Sequence, residues 1–114
     1  MKRFCLTLDL KNDPELIKTY EHYHSRQAIW PEVIEGIKAC GIYSMDIYRA
    51  DTRLAMILEA QDDFELDAGF AKMSELPRQK EWAALMNRFQ QKPPFAKPGE
   101  HWVPMQQIFE LYGE

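Results

Sequence analysis

Alternation of apolar and polar side chains predicts three β-strands in the first half of the chain. In residues 3–10 the even-numbered positions are apolar and the odd-numbered positions are mixed, which is the period of a strand with one buried face. Residues 42–49 and 53–60 are predicted as two further strands, and the short connection between them favours a hairpin. The mixed face of the first strand, which carries Cys5 and Thr7, is available to line a pocket.

Apolar spacing of three to four residues predicts helices between the first two strands. Asp13 is suited to cap a helix that begins at Pro14 and ends near Ser25. Pro31 begins a second helical stretch, and Gly41 is typical of the residue that follows a helix.

The residue pattern in the second half of the chain predicts a short helix, a longer helix and a final strand. The short helix follows residues 62–63, and the longer one begins at Pro77. The longer helix ends at residues 92–94, because proline disfavours helical backbone in the residue before it. Residues 102–111 are predicted as the last strand, and Pro104 near its start indicates an edge position.

The order strand, helix, strand, strand, helix, strand predicts an α+β, ferredoxin-like βαββαβ fold with extra short helices. The length of 114 residues fits a single domain over residues 1–114. Helices cover one face of such a sheet, so the other face needs a lid, a ligand or a second subunit. We therefore expect a homodimer in which two sheets pair face to face.

Charge and composition exclude several classes of function. The net charge is −4, and Lys and Arg are scattered without a basic stripe, which argues against nucleic acid binding. There is no glycine-rich phosphate loop, no apolar run long enough to cross a membrane and no signal-like segment, so we expect a cytoplasmic protein. Cys5 and Cys40 are expected to be reduced thiols rather than a disulfide.

His24 is the first candidate for acid–base chemistry. Tyr20 lies one helical turn before it on the same side of the predicted helix, so an imidazole and a phenol can hydrogen-bond one ligand together. The alternative is a histidine at a helix end that is satisfied by a carbonyl group. His22 is expected on another, exposed side of the helix, and His101 is expected at the surface.

Aromatic and acidic side chains add three candidates for contacts with a ligand. Trp82 heads an apolar helical stripe and suits either core packing or the C–H face of a sugar, and Trp102 follows a polar loop where it can close a pocket. Glu59 interrupts an alternating strand, and a carboxylate on a buried sheet face is costly unless it is paired. Glu59 is therefore a candidate base or hydroxyl acceptor, with a solvated strand residue as the alternative.

Motifs for metal or nucleophilic chemistry are absent from the sequence. It contains no His-Glu-x-x-His pattern, no paired cysteine motif and no Gly-x-Ser-x-Gly elbow. We therefore expect neither a metal site nor a cofactor.

Four short motifs are spread over nearly the whole length of the sequence. The most distinctive is Tyr20-x-x-x-His24 followed by Ile29-Trp30-Pro31-Glu32. The others, in chain order, are Gly41-Ile42 leading into Ile47-Tyr48, Gln79-x-x-Trp82-x-x-x-Met86, and Ile108-Phe109-x-Leu111. In the order and spacing of these motifs the sequence resembles the L-rhamnose mutarotase family.

This resemblance implies a dimeric α/β barrel built from ferredoxin-like subunits. It also implies that the protein interconverts the α and β anomers of a deoxy sugar without a cofactor. By the same resemblance His24 is the proton donor, and Tyr20 and Trp82 contact the sugar.

Departures from the rhamnose pattern concern the substrate. Met45 stands where a tyrosine is expected on the second strand, Trp82-Ala83 stands for a tandem Trp pair, and the segment from His24 to Trp30 is two residues longer. Together with Leu76-Pro77-Arg78-Gln79 and a Trp before the last strand, the pattern resembles the branch linked to L-fucose. We therefore expect L-fucose to be preferred over L-rhamnose, with Met45 and Trp102 among the sugar contacts.

Two other functions stay open at the level of sequence. Dimeric ferredoxin-like barrels also host cofactor-independent monooxygenases, although this is an analogy of fold alone. A non-enzymatic module that binds a small ligand is the third possibility.

Overall fold

A single antiparallel sheet forms the centre of the computed structural model, which describes residues 1–112. Its strands are β1 (Lys2–Leu10), β2 (Ile42–Ala50), β3 (Arg53–Ala60), β4 (Gln90–Gln91) and β5 (Val103–Pro104). They lie in the order β2-β3-β1, and both short strands pair with the remaining edge of β1. This order is that of a ferredoxin-like sheet whose last strand is divided into two pieces, which confirms the predicted fold class.

Four helices within residues 1–112 follow the predicted pattern closely, and none of them is long and apolar enough to cross a membrane. They are α1 (Pro14–Tyr23), α2 (Pro31–Ala39), α3 (Leu66–Ser74) and α4 (Gln79–Asn87). The Asp13 carboxylate accepts hydrogen bonds from the backbone N–H groups of the first turn of α1, at 2.9 and 3.3 Å, so it caps the helix as predicted. Gly41 has a φ of +82° just beyond α2, a conformation that favours glycine.

The predicted length of the last strand and the predicted end of the longer helix are both wrong. Val103 and Pro104 pair with β1, but residues 105–110 have no regular structure and are exposed. Proline has no N–H to donate to a ladder, and the chain leaves the edge of β1 after one further bond from Met105 N–H to the backbone oxygen of Cys5. The helix ends at Asn87 rather than near residue 92, because Phe89 turns into the core and β4 begins directly after it.

The two faces of the sheet differ in what covers them. Leu6, Leu54 and Leu58 are fully or almost fully buried on the face that packs against the helices. The opposite face, which we call the open face, carries the alternate positions Arg3, Cys5, Thr7 and Asp9 of β1 and Arg53, Ala55, Ile57 and Glu59 of β3. Under the helices the core divides into one cluster around Leu58 and a second around Tyr20, and Trp102 packs against both.

Candidate active site

His24 lies at the carboxyl end of α1, and its ring is half-buried among aromatic side chains. The ring centroids of Tyr20 and Trp82 lie 4.4 and 5.4 Å from that of His24. His24 Nδ1 lies 2.8 Å from the backbone oxygen of Tyr20. A carbonyl oxygen only accepts, so Nδ1 carries the hydrogen and Nε2 keeps the lone pair of the neutral ring. The sequence suggested a bond to a carbonyl group as the alternative to a role of His24 in a site, and this bond is present at Nδ1. It leaves Nε2 for a ligand.

Burial sets the protonation states of the two titratable groups at this position. It lowers the pKa of His24, and the hydrogen bond to the Tyr20 backbone oxygen opposes this shift to a smaller extent. Burial also raises the pKa of the Tyr20 phenol, against a smaller opposing effect of its bond to Gln90. At neutral pH the site therefore presents a neutral imidazole and a protonated phenol.

Trp82 is held beside His24 by contacts between the starts of α2 and α4. Its ring meets Trp30 edge to face at 5.1 Å, and the Arg78 guanidinium lies 3.8 Å above the Trp30 ring. Arg78 adopts a φ of +62°, a left-handed conformation that costs about 1–2 kcal/mol for a residue other than glycine. Gln79 adds a hydrogen bond to the backbone oxygen of Glu32 at 2.8 Å. These contacts give the matching sequence motifs around Trp30 and Trp82 a shared structural role.

Gln90 and His101 complete the arrangement, and neither was predicted from the sequence to be a site residue. Gln90 is buried, and its Nε2 donates to the Tyr20 hydroxyl at 3.1 Å. Its Oε1 is hydrogen-bonded to Nε2 of His101, which is half-buried rather than at the surface as expected. The only sequence signal for His101 is its position next to Trp102. We call the group Tyr20, His24, Trp82, Gln90 and His101 the His24 cluster.

A cavity of about 720 Å³ lies next to the His24 cluster, between β1, α3 and residues 99–104. Its volume is within the range of about 300–1,000 Å³ that is typical of small-molecule pockets. Phe4, Phe64 and Phe70 supply an apolar wall, while His101 and Trp102 line the side nearest to Tyr20. His101 of the His24 cluster lines this cavity, and the ring of His24 does not.

The structure brings together some of the predicted site residues and separates others. The His24 ring lies next to both Tyr20 and Trp82, and Met45 and Trp102 lie on the same helix-covered face, packed against the adjoining core. Glu59 lies on the open face, where its carboxylate binds the Arg3 guanidinium at 2.9 Å. Among residues 1–112, no three His, Cys, Asp or Glu side chains are grouped so that they could hold a metal ion. His22 is exposed, as expected.

Sequence comparison relates the chain to named sugar mutarotases. The family model described as L-rhamnose mutarotase matches residues 3–111. An L-fucose mutarotase of Xanthomonas campestris pv. campestris is 39% identical over 111 residues, which cover 97% of this chain and 89% of that protein. A Dictyostelium discoideum protein whose name states no activity is 41% identical over 114 residues, with 96% of this chain and 90% of that protein covered.

Comparison with solved structures supports the fold. The crystal structure of an L-rhamnose mutarotase from Formosa agariphila superposes with a TM-score of 0.70 at 18% identity, covering 97% of this chain and 99% of that one. Tetracenomycin F2 cyclase from Streptomyces glaucescens, a type-II polyketide cyclase, superposes with a TM-score of 0.64 at 14% identity over the full length of both chains. At these identities the likeness shows a shared fold and nothing about the reaction.

The match over residues 3–111 and the relative of 39% identity agree with each other, and they favour a mutarotase over the monooxygenase considered as an alternative. The predicted activity class, a sugar mutarotase and hence an isomerase, is confirmed at this level. This chain belongs to the L-rhamnose mutarotase family.

Proposed function

We propose that this protein interconverts the α and β anomers of L-fucose in preference to L-rhamnose, and that His24 moves the proton. The observation that carries the role of His24 is its anchored ring, with Nδ1 bound to the Tyr20 backbone oxygen and Nε2 left for a sugar. The relative named L-fucose mutarotase supports the choice of sugar.

Mutarotation opens and recloses the sugar ring without a net change in protons. A base takes the proton of the anomeric hydroxyl, a proton is delivered to the ring oxygen, and the bond between the anomeric carbon and the ring oxygen breaks. The freed carbonyl rotates, and closure gives the other anomer. Each positioned acid or base accelerates such a reaction by roughly 10²–10⁴-fold.

His24 can serve both directions of this exchange. Because burial lowers its pKa, the resting ring is neutral, and Nε2 first accepts a proton from the sugar. The imidazolium that results then gives a proton back, which is the donor role that the family resemblance implies for His24. The Tyr20 phenol stays protonated and is available to donate a hydrogen bond to a sugar oxygen.

Aromatic rings supply the walls of the proposed sugar site. Trp82 stands 5.4 Å from His24, centroid to centroid, and offers an apolar surface to the C–H groups of the sugar. Trp102 lies where the cavity meets the two core clusters, so it can contact the same ligand from the sheet side.

Met45 and Ala83 support L-fucose over L-rhamnose. Both sugars are 6-deoxyhexoses that differ in the orientation of ring hydroxyls, so hydrogen-bond placement must distinguish them. Met45 packs against the core, and its thioether donates no hydrogen bond where the rhamnose pattern has a phenol. Ala83 is exposed and places a methyl group where that pattern has a second indole. A buried hydroxyl without a partner costs roughly 1–3 kcal/mol, which is enough for a clear preference.

Saturation-transfer NMR on the free sugars tests this function directly. We expect catalysed anomer exchange for both sugars at equal enzyme concentration, and faster exchange for L-fucose. Equal rates or a preference for L-rhamnose would overturn the choice of sugar and leave the reaction standing. No acceleration for either sugar would overturn the proposed reaction itself.

We also propose that the protein acts as a homodimer. The open face carries half-buried Cys5 and Ile57 and has no helix over it among residues 1–112. Near the carboxyl end, Ile108 and Tyr112 are 92% and 93% exposed, and Phe109 is 74% exposed. Apolar surface of this extent is more typical of an interface than of a monomer. Sedimentation velocity should show a dimer, and a stable monomer at micromolar concentration would overturn this proposal.

The cytoplasm is the location that we propose. Cys5 and Cys40 are both free thiols in the structure, which is typical of a reducing compartment.

A further inference from the structure

Gln90 is a buried amide whose two ends are both engaged. Its Nε2 lies 3.1 Å from the Tyr20 hydroxyl, and its Oε1 is bonded to Nε2 of His101. Gln90 is 9% exposed, so a protein partner for each end avoids the cost of leaving a polar atom without one. The amide thus joins a residue of α1 to a residue of the loop before β5.

The direction of these two bonds decides what the Tyr20 hydroxyl can do. An amide nitrogen only donates and an amide oxygen only accepts. In the observed arrangement Gln90 Nε2 donates to Tyr20, so the phenol oxygen accepts and its own proton is free for a ligand beside His24. With the amide reversed, the phenol would donate to Gln90 and would have no proton to offer a sugar oxygen.

His101 holds the other end of the Gln90 amide. The amide oxygen of Gln90 only accepts, so His101 Nε2 carries the hydrogen in this arrangement while the amide nitrogen faces Tyr20. Burial lowers the pKa of His101, and the charge of Lys92 acts in the same direction, so the ring is neutral and its one N–H is the one that faces Gln90. Reciprocal bonds between Lys97 and Glu100, each 2.9 Å, close the turn that precedes His101.

We propose that His101 and Gln90 are positioning residues that fix the direction of the Tyr20 hydroxyl, so that its proton points to the sugar oxygen next to His24. The inference rests on the proposed function, because the sugar supplies the acceptor. It gives a role to two residues that lie outside the sequence motifs on which the family resemblance rests.

The hydrogen bond itself is tested in the protein without sugar, by NMR of protein labelled with ¹³C at the ζ carbon of tyrosine. The resonance that disappears in Tyr20→Phe belongs to Tyr20. We expect it to shift in Gln90→Glu, where a carboxylate accepts from the phenol, and in His101→Phe, which keeps a ring in the half-buried position. His22→Phe, a change at an exposed histidine of α1, should leave the Tyr20 resonance in place.

The consequence for the reaction is tested by a double-mutant cycle. Gln90→Glu and His101→Phe should each lower the anomer exchange rate about as much as Tyr20→Phe does, on the order of tenfold or less. In the Tyr20→Phe background each should change the rate by less than about twofold, because residues that act through one group are not additive. A merely structural role would give effects that multiply.

The outcomes separate this inference from the proposed function. Multiplicative effects in the cycle, or a Tyr20 resonance that neither substitution shifts, would overturn the positioning role. If Gln90→Glu does not fold, as judged by circular dichroism, His101→Phe and the cycle built on it decide the question. If the unaltered protein shows no anomer exchange, the proposed function fails, and the NMR experiment still reports on the bonds among Tyr20, Gln90 and His101.

Discussion

Polar side chains in two partly buried regions of this molecule find their hydrogen-bond partners in different ways. On the open face Arg3 binds Glu59 at 2.9 Å and Arg53 binds Asp9 at 2.6 Å, so each carboxylate meets a guanidinium on the neighbouring strand. In the His24 cluster the polar groups are neutral at pH 7. His24 is hydrogen-bonded to the backbone oxygen of Tyr20, and Gln90 connects the Tyr20 hydroxyl to His101.

The two regions therefore differ in what they can offer to a ligand. A carboxylate that is held by a guanidinium has its charge compensated within the protein. In the His24 cluster, by contrast, His24 Nε2 keeps a lone pair and the Tyr20 phenol keeps a proton, and the Trp82 ring lies beside His24. The proton transfer that we propose therefore uses the region without formal charges.

Removing the imidazole is the strongest test of this comparison. His24→Asn should leave the fold intact and lower the rate of L-fucose anomer exchange by on the order of 10²-fold or more, because a positioned acid–base group is lost. His22→Asn is the matched control at an exposed position of the same helix, and it should keep the full rate. Exchange measured by NMR, with circular dichroism for folding, checks both. A folded and active His24→Asn variant would remove His24 from the mechanism.

The pH dependence of the rate is the next test. Only the neutral form of His24 accepts a proton, and burial lowers its pKa below the ordinary value of about 6.5. The exchange rate at low sugar concentration should therefore stay level around neutral pH and fall by about tenfold per pH unit once the pH drops below the lowered pKa. This acid limb should persist in His101→Phe. A rate that rises as the pH is lowered from 7 to 5 would mean that the imidazolium is the starting form.

The sequence predicted the regular part of the fold because the side chains alternate there without interruption. Leu54, Met56 and Leu58 mark every second position of β3, and the strand occupies residues 53–60 as predicted. The final strand was wrong because its apolar residues, such as Ile108, have the composition of a strand but no neighbour to pair with among residues 1–112.

The candidate site was predictable only where its residues share one element. Tyr20 and His24 are one turn apart on α1, so their proximity follows from the period of a helix. Gln90 reaches Tyr20 across 70 positions, and it reaches His101 across a proline-containing loop, so no local pattern reveals either contact. Glu59 was a candidate because the sequence shows a carboxylate within a strand but does not reveal its partner. That partner is Arg3, which is 56 residues away in the chain.

A smaller effect is expected on the choice between the two sugars. Met45→Tyr restores a phenol where the rhamnose pattern has one, on the helix-covered face of the sheet. The ratio of the L-rhamnose to the L-fucose exchange rate should rise by up to about tenfold, the equivalent of one hydrogen bond of roughly 0.5–1.5 kcal/mol. Met45→Leu is the control for packing and should leave the ratio unchanged. An unchanged ratio in Met45→Tyr would place the discrimination elsewhere in the pocket.

Glu59 should give the smallest effect, because the open face takes no part in the proposed reaction. Glu59→Gln breaks the ion pair with Arg3, whose side chain is 68% exposed, and such pairs contribute about 0–1 kcal/mol to stability. Urea unfolding should therefore show a change of at most that size, and anomer exchange should stay within about twofold of the original rate. A base at this position would instead make the loss roughly 10²-fold or more. A loss of that size in a variant of unchanged stability would move the reaction to the open face and reverse the roles of the two regions.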